Sequence, residues 1–145
     1  LMAGIFVIFT VAVMPGLGRT DDHTFIGAYQ AIDRAIMNPW FLSIYLGALL
    51  LPAVAALLHL RDGSQSALPW IVAALVLYLA VVVITGRVNV PLNNQIKQAG
   101  PPARIADPAT VRSRFEAAWV RWNLVRTVLS VPAFGLLAWA MTERT

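Results

Sequence analysis

Seven polar or aromatic residues near the C-terminal end of the chain, Arg112, Glu116, Trp119, Asn123, Arg126, Thr127 and Ser130, recur in steps of one, three or four. At about 100° per residue they share one helical face, while Ala118, Leu124, Val125, Val128 and Leu129 take the other. A thinner stripe, Tyr78, Thr85 and Asn89, runs down an earlier apolar segment and leads into Thr85-Gly86-Arg87-Val88-Asn89-Val90-Pro91-Leu92-Asn93-Asn94. These residue types suit a flat, oxygenated, hydrophobic ligand. Trp and Tyr supply stacking area, and Asn and Arg hydrogen-bond carbonyl or phenolate oxygens. No Gly-rich phosphate loop, dinucleotide fingerprint or Ser-His-Asp arrangement is present. Carboxylate and imidazole donors for a metal exist in His23, Asp22, Asp33 and Glu116, but their spacing does not demand one.

The elements that carry these residues are membrane spans. Of 145 residues, 59% are hydrophobic and 12% charged, and mean hydropathy is +0.70. A soluble domain holds about 45–50% apolar and about 25% charged residues, so the chain is read as one integral membrane domain. The net charge of +4 serves to orient spans and gives no reason to expect nucleic acid. There is no Cys, which excludes disulfides, thiolate metal sites and Cys nucleophiles.

The hydropathy pattern predicts an all-α bundle of four transmembrane helices over residues 1–17, 39–60, 69–88 and 119–141, with a short amphipathic helix between the first two. The first span has no basic n-region or cleavage site and reads as a helix, not a signal peptide. At about 25 Å it is slightly short, so the chain is expected to begin a few residues inside it. Thr20-Asp21-Asp22-His23 signals the start of the amphipathic helix, which lies on the membrane or folds over the bundle mouth. Asn38-Pro39 and Asp107-Pro108 read as helix starts, Pro52 and Pro132 as kinks, and Arg61 to Ser66 as a break. Pro91 is expected to end the third span, letting Asn93 turn back towards Asn123 and Arg126, and residues 95–108 to form a loop.

Nine basic residues, including Arg19, Arg34, Arg87, Lys97 and Arg104, fall in or beside the two long connections; Arg61 and Arg144 fall on the other side. The positive-inside rule places the long connections in the cytoplasm, in what is read as a bacterial plasma membrane. Both polar stripes converge on that face with Asp22, His23, Asp33 and Arg34, whereas His59 lies at the other end. The plainer alternative is that these groups pair with one another and pin the helices, Arg112 and Glu116 being only a surface i,i+4 pair. Taken together they predict a polar cavity open to the long-loop side.

The segments Met14-Pro15-Gly16-Leu17, Gln30-Ala31-Ile32-Asp33-Arg34, Asn38-Pro39-Trp40-Phe41, Asn89-Val90-Pro91-Leu92-Asn93 and Trp122-Asn123-Leu124-Val125-Arg126-Thr127 occur in that order. In this the chain resembles the anthrone oxygenase-like family of small four-span membrane proteins. Asp33 stands where the family's segment more often has Asn. The resemblance implies oxidation of an anthrone- or quinol-like aromatic by O₂ in a monooxygenase-type reaction that needs no cofactor. The sequence itself leaves a metal or haem open. Under that reading His23 is the base, with Asp22 or Asp33 as substitutes, and Asn89, Asn93, Asn123 and Arg126 hold the developing oxyanion. Tyr29, Trp119 and Trp122 are ring walls, and Arg34, Asn38, Thr85 and Glu116 complete the binding set. The partners expected are the bilayer, a hydrophobic aromatic molecule and a second copy or complex subunit. The competing reading is a non-catalytic membrane subunit that uses the same patch to dock a partner or to bind lipid or quinone.

Overall fold

A computed structural model describes residues 1–62 and 66–143 of the chain. Among them all regular structure is helical. The elements are α1 (Met2–Leu17), α2 (Asp22–Ile36), α3 (Pro39–Asp62), α4 (Leu68–Gln98) and α5 (Pro108–Ala140), with a 3₁₀ turn at Pro102–Arg104. Of these, α3, α4 and α5 are long and apolar enough to cross a membrane, and α1 is a shorter apolar helix. Leu50, Leu51 and Leu57 of α3, Val76 and Leu79 of α4, and Leu124 and Val128 of α5 are all exposed large hydrophobics. Such a surface suits lipid and not water.

Local chemistry sets the helix starts. Asp21 accepts from the Thr24 amide at 3.0 Å to cap α2, Asn38 accepts from Phe41 at 3.0 Å to cap α3, and Asp107 accepts from Thr110 at 3.0 Å to cap α5. Pro39 and Pro108 follow two of these caps, where a missing N–H costs nothing. Hydrogen bonds to Thr24 and to Thr110 hold the carboxyls of Asp21 and Asp107 below their ordinary range. Helices α3 and α5 run on through Pro52 and Pro132. α3 also continues through Arg61 and Asp62, beyond the expected break; residues 63–65 of that break, and Arg144 of the charge count, lie outside the described residues.

The main departure concerns Pro91. The third span does not stop there: it passes through a π-helical segment, Thr85–Asn89, and continues as α-helix over Val90–Gln98. Residues 95–98, expected in a loop, are therefore helical. A proline ring crowds the carbonyl four residues earlier, here that of Arg87, inside the π segment. The wider i→i+5 turn moves that carbonyl aside and needs no N–H at the usual place. α1 repeats the device: a π segment at Phe9–Val13 directly precedes Met14-Pro15. In both helices a threonine near the onset bonds back to the carbonyl four residues earlier, Thr10 to Phe6 at 3.0 Å and Thr85 to Val81 at 2.8 Å.

α2 folds over the bundle mouth. Its Phe25, Ile26 and Tyr29 are buried with Met14, Ile96, Phe115 and Trp119 in one cluster. Met2, Phe6, Tyr78 and Val81 fill the middle of the bundle, and Ala56, Ala67, Ile71 and Ala140 the far end. Arg112 locks this arrangement and is no surface ornament. Its guanidinium donates to the carbonyls of Gly18 (2.8 Å) and Thr20 (2.9 Å), to Asp22 (3.0 Å) and to Glu116 (2.6 Å), and it lies 4.5 Å over the Phe25 ring. One side chain thus ties the α1–α2 turn to α5. Gln30 donates to the carbonyls of Ile96 (2.8 Å) and Gly100 (3.1 Å) and satisfies the end of α4.

Candidate functional site

A cavity of about 240 Å³ lies beneath α2, among all five helices. This is just under the usual small-ligand range of about 300–1,000 Å³. Its wall is mainly aromatic and aliphatic, with Phe6, Phe9, Tyr29, Phe41, Tyr45 and Trp119 among the lining residues. Two polar networks break that wall.

Asn93 organises the first. Its Oδ1 accepts from the Tyr29 hydroxyl at 2.8 Å and from the Trp119 indole at 2.9 Å, and its Nδ2 donates to Asp33 Oδ1 at 2.7 Å. The second Asp33 oxygen lies 2.8 Å from Lys97 Nζ. Asp33 is buried, and Lys97 is about one-third exposed and reaches the outer surface. Burial, and then the Asp33 charge, push the Tyr29 phenol above its ordinary range, so it remains a neutral donor to Asn93. Thr85, Asn89, Asn93 and Lys97 are spaced by four, and the helix that continues past Pro91 carries them in one row. Asn93 therefore meets Tyr29, Trp119 and Asp33, and does not turn back towards Asn123.

Arg126 organises the second. It is 6% exposed and donates to Asn123 Oδ1 at 2.9 Å and Thr85 Oγ1 at 3.2 Å. Its guanidinium lies 4.8 Å from the Phe6 ring centre and 5.5 Å from that of Trp119. Asn123 is fixed in turn by donating to Phe6 O (3.1 Å) and Thr10 Oγ1 (2.8 Å), and Thr10 meets Thr127 at 3.0 Å. The ion pairs among the described residues join Lys97 to Asp33 and Arg112 to Asp22 and Glu116; none involves Arg126. Its Nε has no hydrogen-bond partner, and neither does either polar atom of Asn89, which is 1% exposed. A buried cation without a carboxylate, beside an amide without partners, is costly in an apolar wall. Both residues line the cavity and bring to it side-chain N–H groups without partners.

The structure thus brings Tyr29, Asp33, Thr85, Asn89, Asn93, Trp119, Asn123 and Arg126 to one cavity. It does not bring His23 there: that ring is exposed, and its Nδ1 lies 2.9 Å from Pro102 O, tying the 3₁₀ turn to α2. Asp22 and Glu116 are engaged by Arg112, Arg34 is exposed, Asn38 caps α3, and Trp122 lies outside the lining. Met14, Phe25, Ile26, Ile96 and Phe115 pack with Tyr29 and Trp119 of the cavity wall. Sequence reasoning missed Lys97, whose signal was the spacing of four from Asn93, and Thr10, a lone hydroxyl in an apolar helix. Phe6, Phe41 and Tyr45 gave no signal apart from their apolar surroundings. Among the described residues no three His, Asp or Glu side chains lie together; the donors facing the cavity suit the oxygens of an organic molecule.

The model of the family described as anthrone oxygenase matches residues 40–136. The match takes in the cavity residues of α3, α4 and α5, while Tyr29 and Asp33 precede it. No curated protein and no solved structure matches the chain. Over well more than half its length the sequence fits that one family, and the chain belongs to the anthrone oxygenase family.

Proposed function

We propose that this protein oxidises a flat, hydrophobic, oxygen-bearing aromatic of the anthrone type with O₂. The single observation that carries this reading is Arg126, a buried guanidinium with no carboxylate partner, set beside the unpartnered Asn89 in an aromatic slot. Removing a benzylic proton from an anthrone puts negative charge on its carbonyl oxygen. Preorganised donors at that oxygen favour the ionised form most where water is excluded. The enolate is electron-rich and gives electrons to O₂. The new carbon–oxygen bond forms at the deprotonated carbon, and loss of water from the resulting hydroperoxide leaves the quinone. One O₂ is consumed and one water released for each quinone formed.

The base in this proposal is Asp33. It lines the cavity, whereas His23 and Asp22 do not. Lys97 and Asn93 hold its two oxygens in place, and Lys97 links it to the surface for proton release. The polar groups of Asp33, Asn89, Asn93, Asn123 and Arg126 converge on a cavity, which supports a ligand-converting site over a docking subunit. We place the two long connections in the cytoplasm of a bacterial cell, following the excess of arginine and lysine there.

Asp33→Asn preserves the side-chain shape and the acceptor for Asn93 but removes the base. Oxygen uptake with an anthrone, measured in detergent or vesicles, should fall by about 10²-fold or more. Wild-type uptake by a normally expressed D33N protein would remove Asp33 from the mechanism.

A further inference from the structure

The rim of the cavity differs in character from its floor. Three lining residues are well exposed: Met37 at 61%, Leu42 at 38% and Val90 at 44%. All are apolar, and they come from the α2–α3 junction, the first turn of α3 and the last third of α4. The polar lining residues Asp33, Asn89 and Arg126 are buried. A residue that both lines a cavity and is exposed marks its opening, so the opening lies between α3 and α4 and is apolar. Trp40, the most exposed of the tryptophans, is in the same first turn of α3 as Leu42, as expected for a ring at headgroup depth. Phe25, Ile26 and Phe115 pack together, fully buried, under the first turns of α2.

We propose that the cavity is loaded sideways from the bilayer and takes an amphiphile. The oxygenated aromatic head lies at Asn89 and Arg126, and an apolar tail leaves past Met37, Leu42 and Val90 into the lipid. This rests on the reading of the site as a receptor for an oxygen-bearing ring, and adds the route and the tail. An apolar opening in contact with lipid costs nothing to expose. A head drawn from the same membrane would satisfy Asn89 and the Arg126 Nε without crossing water.

The test uses the whole protein in phosphatidylcholine vesicles under argon, with decyl-hydroquinone and methyl-hydroquinone as probes. Binding is followed by quenching of tryptophan fluorescence and compared at equal probe concentration within the lipid. With its tail left in the lipid, the decyl probe should bind within about twofold of the methyl probe, and Val90→Trp, a change at an exposed position, should slow its uptake about 10-fold at an unchanged melting temperature. Decyl binding about 10-fold weaker than methyl, as a site closed to the lipid would give, or unchanged uptake by V90W, would overturn the lateral route. Oxygen uptake with a tail-free anthrone separates the two proposals. Normal turnover that V90W does not affect keeps the oxidation and rejects the portal. Binding of the tailed probe controlled by position 90, with no oxygen uptake on any anthrone, keeps the portal and rejects the oxidation.

Discussion

Arg126→Met should give a protein that is at least as heat-stable as the parent and nearly inactive. Taking a guanidinium out of water costs several kcal/mol unless an anion compensates it, and the ion pairs of the described residues leave Arg126 out. Two hydrogen bonds and two aromatic faces offset part of that cost. Methionine keeps the contact with Phe6 and Trp119, since a thioether packs well on rings. The substitution leaves Asn123 Oδ1 short of a donor, at about 1–3 kcal/mol. The two terms are of similar size and opposite sign. The apparent melting temperature is therefore expected to stay level or to rise by roughly 5 °C. Oxygen uptake should fall by about 10²–10³-fold, the usual result of losing one oxyanion donor. Loss of activity accompanied by a much lower melting temperature would instead identify Arg126 as a brace between α4 and α5.

Asn93→Ala should fail in the opposite manner, losing stability and activity together. Asn93 is the shared partner of Tyr29, Trp119 and Asp33, which come from two different helices. Truncation leaves the hydroxyl and the indole N–H without an acceptor and Asp33 with Lys97 alone. Each buried group left without its partner costs about 1–3 kcal/mol. Water entering the enlarged cavity recovers part of this. The expected fall in melting temperature is roughly 5–15 °C, with oxygen uptake reduced because Asp33 is no longer aimed. An N93A protein that melts within about 2 °C of the parent and turns over normally would show that these hydrogen bonds carry little.

The sequence made the bundle legible where one rule acted alone. The polar face of α5 repeats without a breaker, so Trp119, Asn123 and Arg126 could be assigned to one interior side. The Asn38-Pro39 and Asp107-Pro108 starts were equally direct. Pro91 misled because the rule that proline ends a helix presumes α geometry before it. A π turn has no periodicity signature, and it relieves the clash on which the rule rests. With the helix ended too early, Lys97 fell in a loop and its partnership with Asp33 was invisible. His23 and Asp22 were placed at the site by membrane face alone, a coordinate that gives depth but not distance across the bundle. Their actual partners, Pro102 O and Arg112, depend on how two loops meet, which no local pattern encodes. The direction of the cavity's opening depends on which helix gap α2 leaves uncovered, again a tertiary fact.

The π segment at Thr85–Asn89 carries a consequence for how such a site could arise or be lost. A π turn is in effect one surplus residue lodged in an α-helix. That surplus is absorbed within the turn, so the helix beyond it keeps the phase of a plain α-helix one residue shorter. Wound as unbroken α-helix, the same residues would swing everything beyond the segment by about 100° around the axis. Asn93 and Lys97 would then leave Tyr29 and Asp33 behind, although neither had been substituted. Such a chain would keep all its hydrophobic residues, and its composition would still describe a membrane bundle. The difference between a bare scaffold and one with its polar row in place is, at this helix, a matter of winding more than of residue identity.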